Sequence, residues 1–321
     1  MCTEKCNSSH HLQLVHSASI RLNVSMAITQ IFVWPFIYIN ILMLLTFSRK
    51  QAFRTETRYI LFAHTLFVDL MFLVLTDFVV ILSYSYVLMP MAFCIPFCML
   101  METITTCTPL TITAMCVERY VAICMPLRHS AISTVSRTLT AIFIIWIISS
   151  LKSFVDVFIL VITASKEYLS QYTFCHYEIM MPENWHRVMR GAVYIIHFIM
   201  VLLVELFCYV MIVISARAAS IDKKSAIKGL RTVSLHMLQL TLCTVEIICP
   251  YIETLIMEKD IQLYLSVRFF NFIMFNVIAR AISPLVYGLR DERFYATLLY
   301  YIRCRQNHVS SESPKCKAII E

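Results

Sequence analysis

Glycine is nearly missing from this chain: Gly191, Gly229 and Gly288 are the only three in 321 residues. Three isolated glycines cannot form the glycine-rich loops that cradle phosphates. They also argue against the broken helices of transporters, and neither half of the chain mirrors the other. Charge is scarce as well, since Asp, Glu, Lys and Arg make up 15% of the residues, below the roughly 25% usual in soluble domains. Other absences are local. No lysine lies between Tyr264 and Tyr287, which removes a pigment or pump built on lysine-linked retinal. His64, His197 and His236 are joined by no motif to a nucleophile, and no zinc-ligand spacing occurs. The chain is therefore expected to have no catalytic activity, no cofactor and no metal.

What the sequence has in abundance is apolar surface, with 59% hydrophobic residues and a mean hydropathy of +0.73. A helix crosses the hydrocarbon core with about 20 mostly apolar residues. Seven such stretches occur, at Met26 to Phe47, Tyr59 to Leu82, Ala92 to Glu118, Thr138 to Ala164, Gly191 to Ile214, Leu230 to Ile256 and Tyr264 to Tyr287. Lipid offers the backbone no hydrogen-bond partners, so the stretches must be helices, and the short alternating segments of a barrel are absent. The expected fold is an all-α membrane protein, a seven-transmembrane helix bundle with a short amphipathic eighth helix over Asp291 to Ile302. Residues 1–25 then form an extracellular N-terminus, 26–290 the transmembrane domain, and 291–321 the amphipathic helix and cytoplasmic tail.

Basic residues set the orientation, because Lys and Arg concentrate in short cytoplasmic loops. With the N-terminus outside, 18 of the 27 basic residues fall inside, among them Arg49, Lys50, Arg54, Arg128, Arg137, Lys223, Lys224 and Arg290. The outer segments hold chiefly Lys5, Arg21, Lys166, Arg187, Arg190 and Lys259. The net charge of +7 thus reports topology and gives no sign of nucleic-acid binding. Two glycosylation sequons, at Asn7 and Asn23, precede the first helix. Asn7 is the better acceptor, since Asn23 sits close to the membrane. The first 25 residues are too polar for a cleavable leader, so the first helix is expected to direct insertion into the plasma membrane as a multi-pass protein.

The most informative segment is Met115 to Ser130, MCVERYVAICMPLRHS, a Glu-Arg pair at the end of an apolar stretch followed by a proline and basic residues. It resembles the third-helix signature of odorant receptors, seven-helix G-protein-coupled receptors whose usual form has Asp where Glu118 stands. KGLRTVSLH (Lys228 to His236) and SPLVYGLR (Ser283 to Arg290) are similar to that family's sixth- and seventh-helix signatures. Cys249-Pro250 in the sixth helix resembles the fish-type 131 group. The resemblance covers nearly the whole chain. It implies a small-molecule odorant as ligand and a heterotrimeric G protein of the stimulatory, olfactory type as partner, with expression in olfactory cilia. A receptor of the same fold serving outside olfaction is the alternative, and a seven-helix transporter a more distant one.

The same resemblance assigns roles residue by residue. Arg119 is held at rest by Glu118 and meets the G protein on activation, with Tyr120 beside it and Tyr209 and Tyr287 as the inner tyrosines. Pro284, like Pro250, marks a helix kink. Asn40, Asp69, Arg280 and Ser283 fall at positions of an internal polar network. There Arg280 is expected to serve as counter-ion to Asp69, in place of the sodium ion of related receptors. A disulfide between Cys94 and Cys175 would pin a loop over the ligand cavity. Cys98, one turn deeper, is the rival partner, and Cys2 and Cys6 are free to pair with each other. The cavity should be lined by Met101, Glu102, Thr105 and Thr106, by His197, by Ile248, Tyr251, Ile252 and Glu253, and by Arg268, Asn271 and Asn276. A carboxylate at Glu102 suggests a small water-soluble ligand bearing a cation. Val201 and Ile248 depart from the wider class, which has a proline and an aromatic residue at these positions. Glu205 and Glu246 lie within the membrane with no partner apparent from sequence.

Overall fold

The computed structural model describes residues 2–218, 259–280 and 293–300, together with separate positions between 234 and 256. Helix α1 runs from Cys2–Arg49, well beyond the expected start at Met26. No glycine or proline occurs before Pro35, so nothing in the polar segment breaks the helix. Its apolar part begins at Ile20. A single turn, α2 (Gln51–Arg54), leads to α3 (Thr57–Tyr84). Strand β1 (Met89–Pro90) precedes α4 (Met91–Cys124), and α5 (Pro126–Ile132) is a short helix with Pro126 in its first turn, where the missing N–H costs nothing.

Helix α6 (Val135–Thr163) is capped by Thr134, whose hydroxyl accepts from the Arg137 amide. A single turn α7 (Lys166–Leu169), strand β2 (Tyr172–Thr173) and a 3-10 turn (Tyr177–Met180) precede α8 (Asn184–Ala218). Asp260 caps α9 (Ile261–Asn271), which continues as a π-helix over Phe272–Ile278. Five of these helices, α1, α3, α4, α6 and α8, are long and apolar enough to cross a membrane, and Gln262–Ile278 is a shorter apolar helix. The helical positions between 234 and 256 fall in the sixth apolar stretch. Pro250, Pro284 and the tail cysteines Cys304 and Cys316 lie outside the described residues.

Helix α4 is the central post and packs against α3, α6 and α8. Its junction with α6 is lined by small and hydroxylated side chains: Thr103 and Ser153 share a hydrogen bond of 3.1 Å, and Ser149 and Cys107 are fully buried. Small residues let helices approach closely where lipid supplies no hydrophobic drive between them. Trp146 of α6 donates to His64 Nε2 of α3 at 2.9 Å. That nitrogen is therefore the acceptor, so Nδ1 carries the proton toward Thr111 Oγ1 of α4 at 3.1 Å. One imidazole thus ties three helices. Gln30 of α1 donates to Asp77 of α3 at 2.6 Å.

The two ends of the bundle are closed differently. At one end β1 and β2 pair antiparallel, Met89 opposite Thr173 and Pro90 opposite Tyr172, and the Met91 amide donates to Gln171 O at 3.0 Å. A disulfide joins Cys94 to Cys175. It leaves the rival Cys98 as a buried free thiol. At the other end residues 293–300 are helical, and their Phe294 and Leu298 pack into a cluster with Phe53, Tyr59 and Phe62. The Phe294 ring lies 5.2 Å from that of Phe53 and 5.5 Å from that of Phe62. The eighth helix is held by this apolar face, which its sequence pattern had indicated.

Candidate functional site

Helix α4 carries charged or polar chemistry at three depths. At the end opposite the disulfide, its last turns hold Glu118 and Arg119. The helix continues to Cys124, so Arg119 lies within regular backbone and does not begin a loop. Its Nε stands 3.3 Å from Glu118 Oε2. His129 of α5 approaches the other carboxylate oxygen at 3.4 Å, a contact that sequence reading missed because the break at Met125 hides which residues of α5 turn back. Tyr120 packs edge-on to Phe207 of α8 with ring centroids 5.5 Å apart, and Tyr209 lies against Cys116, Cys208 and Ile212. Leu127, in the same short helix as His129, is 97% exposed. Pro284 and Tyr287 lie outside the described residues.

Midway along α4, Thr108 meets the pair expected from sequence. Arg280 Nη1 is 3.2 Å from Asp69 Oδ1 of α3 and donates to Thr108 Oγ1 at 2.8 Å. The guanidinium lies 3.6 Å from the centre of the Phe72 ring, and Arg280 and Asp69 are 1% and 0% exposed. Asn40, also fully buried, donates instead to Phe36 O of its own helix and does not join Asp69. Ser283 lies outside the described residues.

Near the disulfide end, Glu102 is the hub of a buried cluster spanning α4, α6 and α8. Its Oε1 receives Lys152 Nζ at 3.3 Å and Arg190 Nη2 at 3.0 Å, and the Tyr194 hydroxyl donates to it at 3.2 Å. Arg190 Nε reaches Asp156 Oδ2 at 3.5 Å, and His186 Nε2 reaches Asp156 Oδ1 at 3.0 Å. The expectation that Glu102 waits for an ammonium ligand therefore loses its premise, because two cations already hold it. Arg190, counted from sequence with the outer segments, is 5% exposed inside the bundle. Hydropathy placed the start of the fifth span at Gly191, since charged residues depress it even when they pair internally. The helix begins at Asn184. Lys152 and Asp156 went unremarked, yet opposite charges four apart in an apolar run were a legible signal.

The remaining cavity candidates divide. The Thr105 and Thr106 hydroxyls donate to carbonyls one turn back, Met101 O and Glu102 O. Asn271 donates to Glu253 Oε1 at 2.8 Å, and Arg268 bonds the Tyr264 hydroxyl. Asn276 and Met101 are partly buried. His197 is partly buried too, and its Nε2 has no hydrogen-bond partner. Ile248 and Ile252 are 45% and 48% exposed, while Cys249 is the buried member of that segment. Tyr251 and Glu246 lie outside the described residues. Glu205 is fully buried on α8 and accepts only a long 3.5 Å hydrogen bond from Thr113. In the loop beside the disulfide, the Tyr168 hydroxyl donates to Ile179 O at 2.8 Å, and burial pushes its phenol upward from the ordinary range.

Comparison with known proteins follows the same lines. Residues 39–287 match the family described as 7 transmembrane receptor (rhodopsin family). Odorant receptor 131-2 of Danio rerio is 40% identical over 279 residues, which cover 86% of this chain and 85% of that receptor. Shorter likenesses reach the Pyrokinin-1 receptor of Drosophila melanogaster, 34% identical over 34% of this chain and 26% of that one. Growth hormone secretagogue receptor type 1 of Homo sapiens is 37% identical over 34% of this chain and 30% of its own.

Proposed function

The chain belongs to the rhodopsin family of seven-transmembrane receptors, and we propose that it is an odorant receptor driving a stimulatory, olfactory-type G protein. Membership makes it a multi-pass membrane signalling receptor that works through a ligand and a heterotrimeric G protein, not an enzyme. The finer reading of odour rests on the extended likeness to odorant receptor 131-2.

One observation carries the mechanism: Arg119 sits within helix α4, tethered to Glu118, which His129 of the following helix also approaches. A ligand that binds better when this tether is released shifts the population toward the released state. Coupling of this kind is worth about 1 to 3 kcal/mol. The ligand cavity lies at the disulfide end, facing outside, and the Arg119 end faces the cytoplasm.

The test is a cyclic AMP reporter in cells co-expressing the chain with an olfactory-type G protein, screened against water-soluble odorants alongside Arg119→Ala. A ligand response present in the native chain and lost in Arg119→Ala, at equal surface expression, is the expected result. Surface expression without any response, and a basal signal indifferent to the substitution, would reject G-protein coupling. The shorter likenesses to two receptors not named for odour favour a second reading, a receptor serving outside olfaction. Absence from olfactory cilia would select it.

A further inference from the structure

Building on the receptor reading above, we propose that the small-molecule site takes a carboxylate anchored by Lys152. The argument begins with charge balance in the buried cluster. Glu102 Oε1 is already met by Arg190 Nη2 at 3.0 Å and by the Tyr194 hydroxyl at 3.2 Å. Asp156 is met by Arg190 Nε on one oxygen and His186 Nε2 on the other. Both carboxylates therefore have donors without Lys152, and Lys152 is the surplus cation.

Its geometry agrees. Lys152 Nζ stands 3.3 Å from Glu102 Oε1 yet makes no hydrogen bond, and it lies over the Tyr194 ring. A ring face holds a cation by its quadrupole but satisfies none of its three N–H groups. A buried ammonium in that condition is costly, and what it lacks is an acceptor. A second unpartnered nitrogen, His197 Nε2, lies on α8 one turn beyond Tyr194, within electrostatic reach of Lys152. Two donors fit the two oxygens of a carboxylate. A phosphate would bring a second negative charge that nothing in the cluster answers. The four-carbon stem of Lys152 lets its ammonium leave the Tyr194 ring and meet the ligand.

The ligand is thus a small organic acid, either a simple carboxylic acid or an amino acid through its α-carboxylate. The test is the melting temperature of the purified full chain with carboxylates of two to eight carbons, the amide and amine of each length, and the matching α-amino acids. The simple acids, the α-amino acids or both should raise it, while amides and amines leave it unchanged. Which group acts identifies the source of the carboxylate. Lys152→Met should weaken the active acid by roughly tenfold or more, the worth of a hydrogen bond to a charged group, and Lys152→Arg should retain it.

Because Lys152→Met also takes a neighbour from Glu102, the double variant Lys152→Met with Glu102→Gln separates the roles. A stable double variant that stays blind to acids supports the proposal. Recovery of acid binding in it would show that Lys152 serves only as a counter-ion, and would overturn it. Stabilisation by no carboxylate, or by amides or amines instead, would also overturn it. An Arg119-dependent cyclic AMP response to an amine would do so while leaving the receptor reading intact. Acid binding without any cyclic AMP response would uphold the carboxylate site and reject the coupling.

Discussion

Arg280 shows how one side chain can set the properties of a buried site. Its guanidinium reaches Asp69 on α3 and Thr108 on α4 and stacks on Phe72, so a single residue of the last span links two others. A buried ion pair adds little net stability when intact, but stranding either charge costs about 3 to 5 kcal/mol. Arg280→Ala and Asp69→Ala are each expected to lower the melting temperature and surface expression by an amount in that range. The exchange Asp69→Arg with Arg280→Asp should recover most of the loss, since Thr108 can donate to a carboxylate as readily as it accepts from a guanidinium. Because the protein carries its own cation there, ligand affinity should be indifferent to sodium. Failure of the exchange, or affinity that tracks sodium, would contradict this account of Arg280.

The junction of α4 with α6 depends on the smallness of its residues rather than on charge. Ser149 and Ser153 are fully buried where the helices meet, and a side chain added there must force the helices apart. Ser149→Leu should therefore cost about 1 to 3 kcal/mol by overpacking, read as lost thermal stability, whereas Ile148→Phe on the exposed face should leave it unchanged. Equal effects of the two would mean that the junction is loosely packed. These same helices show what the sequence can disclose. Their existence and order followed from apolar length alone, because lipid leaves the backbone no other choice. Their ends did not follow, since Arg190 and His186 resemble loop residues until Asp156 is placed opposite them. The Arg280 partnership was legible because one charge in each of two apolar runs invites a pair. The cluster around Glu102 was not, since its partners come from three helices and only packing brings them together.

For the molecule as a whole, the charges divide by end. The Arg119 end gathers most of the basic residues, and Arg190, one of the few assigned to the other end, proves to be internal. Its removal sharpens the asymmetry that places the N-terminus outside. A glycan is added only on the outer side, so the two sequons report orientation directly. Asn23 falls within the apolar span that begins at Ile20, and its side chain accepts from the Tyr84 hydroxyl at 2.9 Å. Asn7 precedes that span. Glycosidase treatment should accordingly increase the gel mobility of the native chain and of Asn23→Gln, and leave Asn7→Gln unaltered. An N-terminal epitope should be accessible on intact cells. A shift lost with Asn23→Gln instead would place the membrane boundary nearer Met26 than the apolar span suggests. An unglycosylated chain whose N-terminal epitope is reached only after permeabilisation would reverse the orientation, and with it the assignment of Arg119 to the cytoplasmic face.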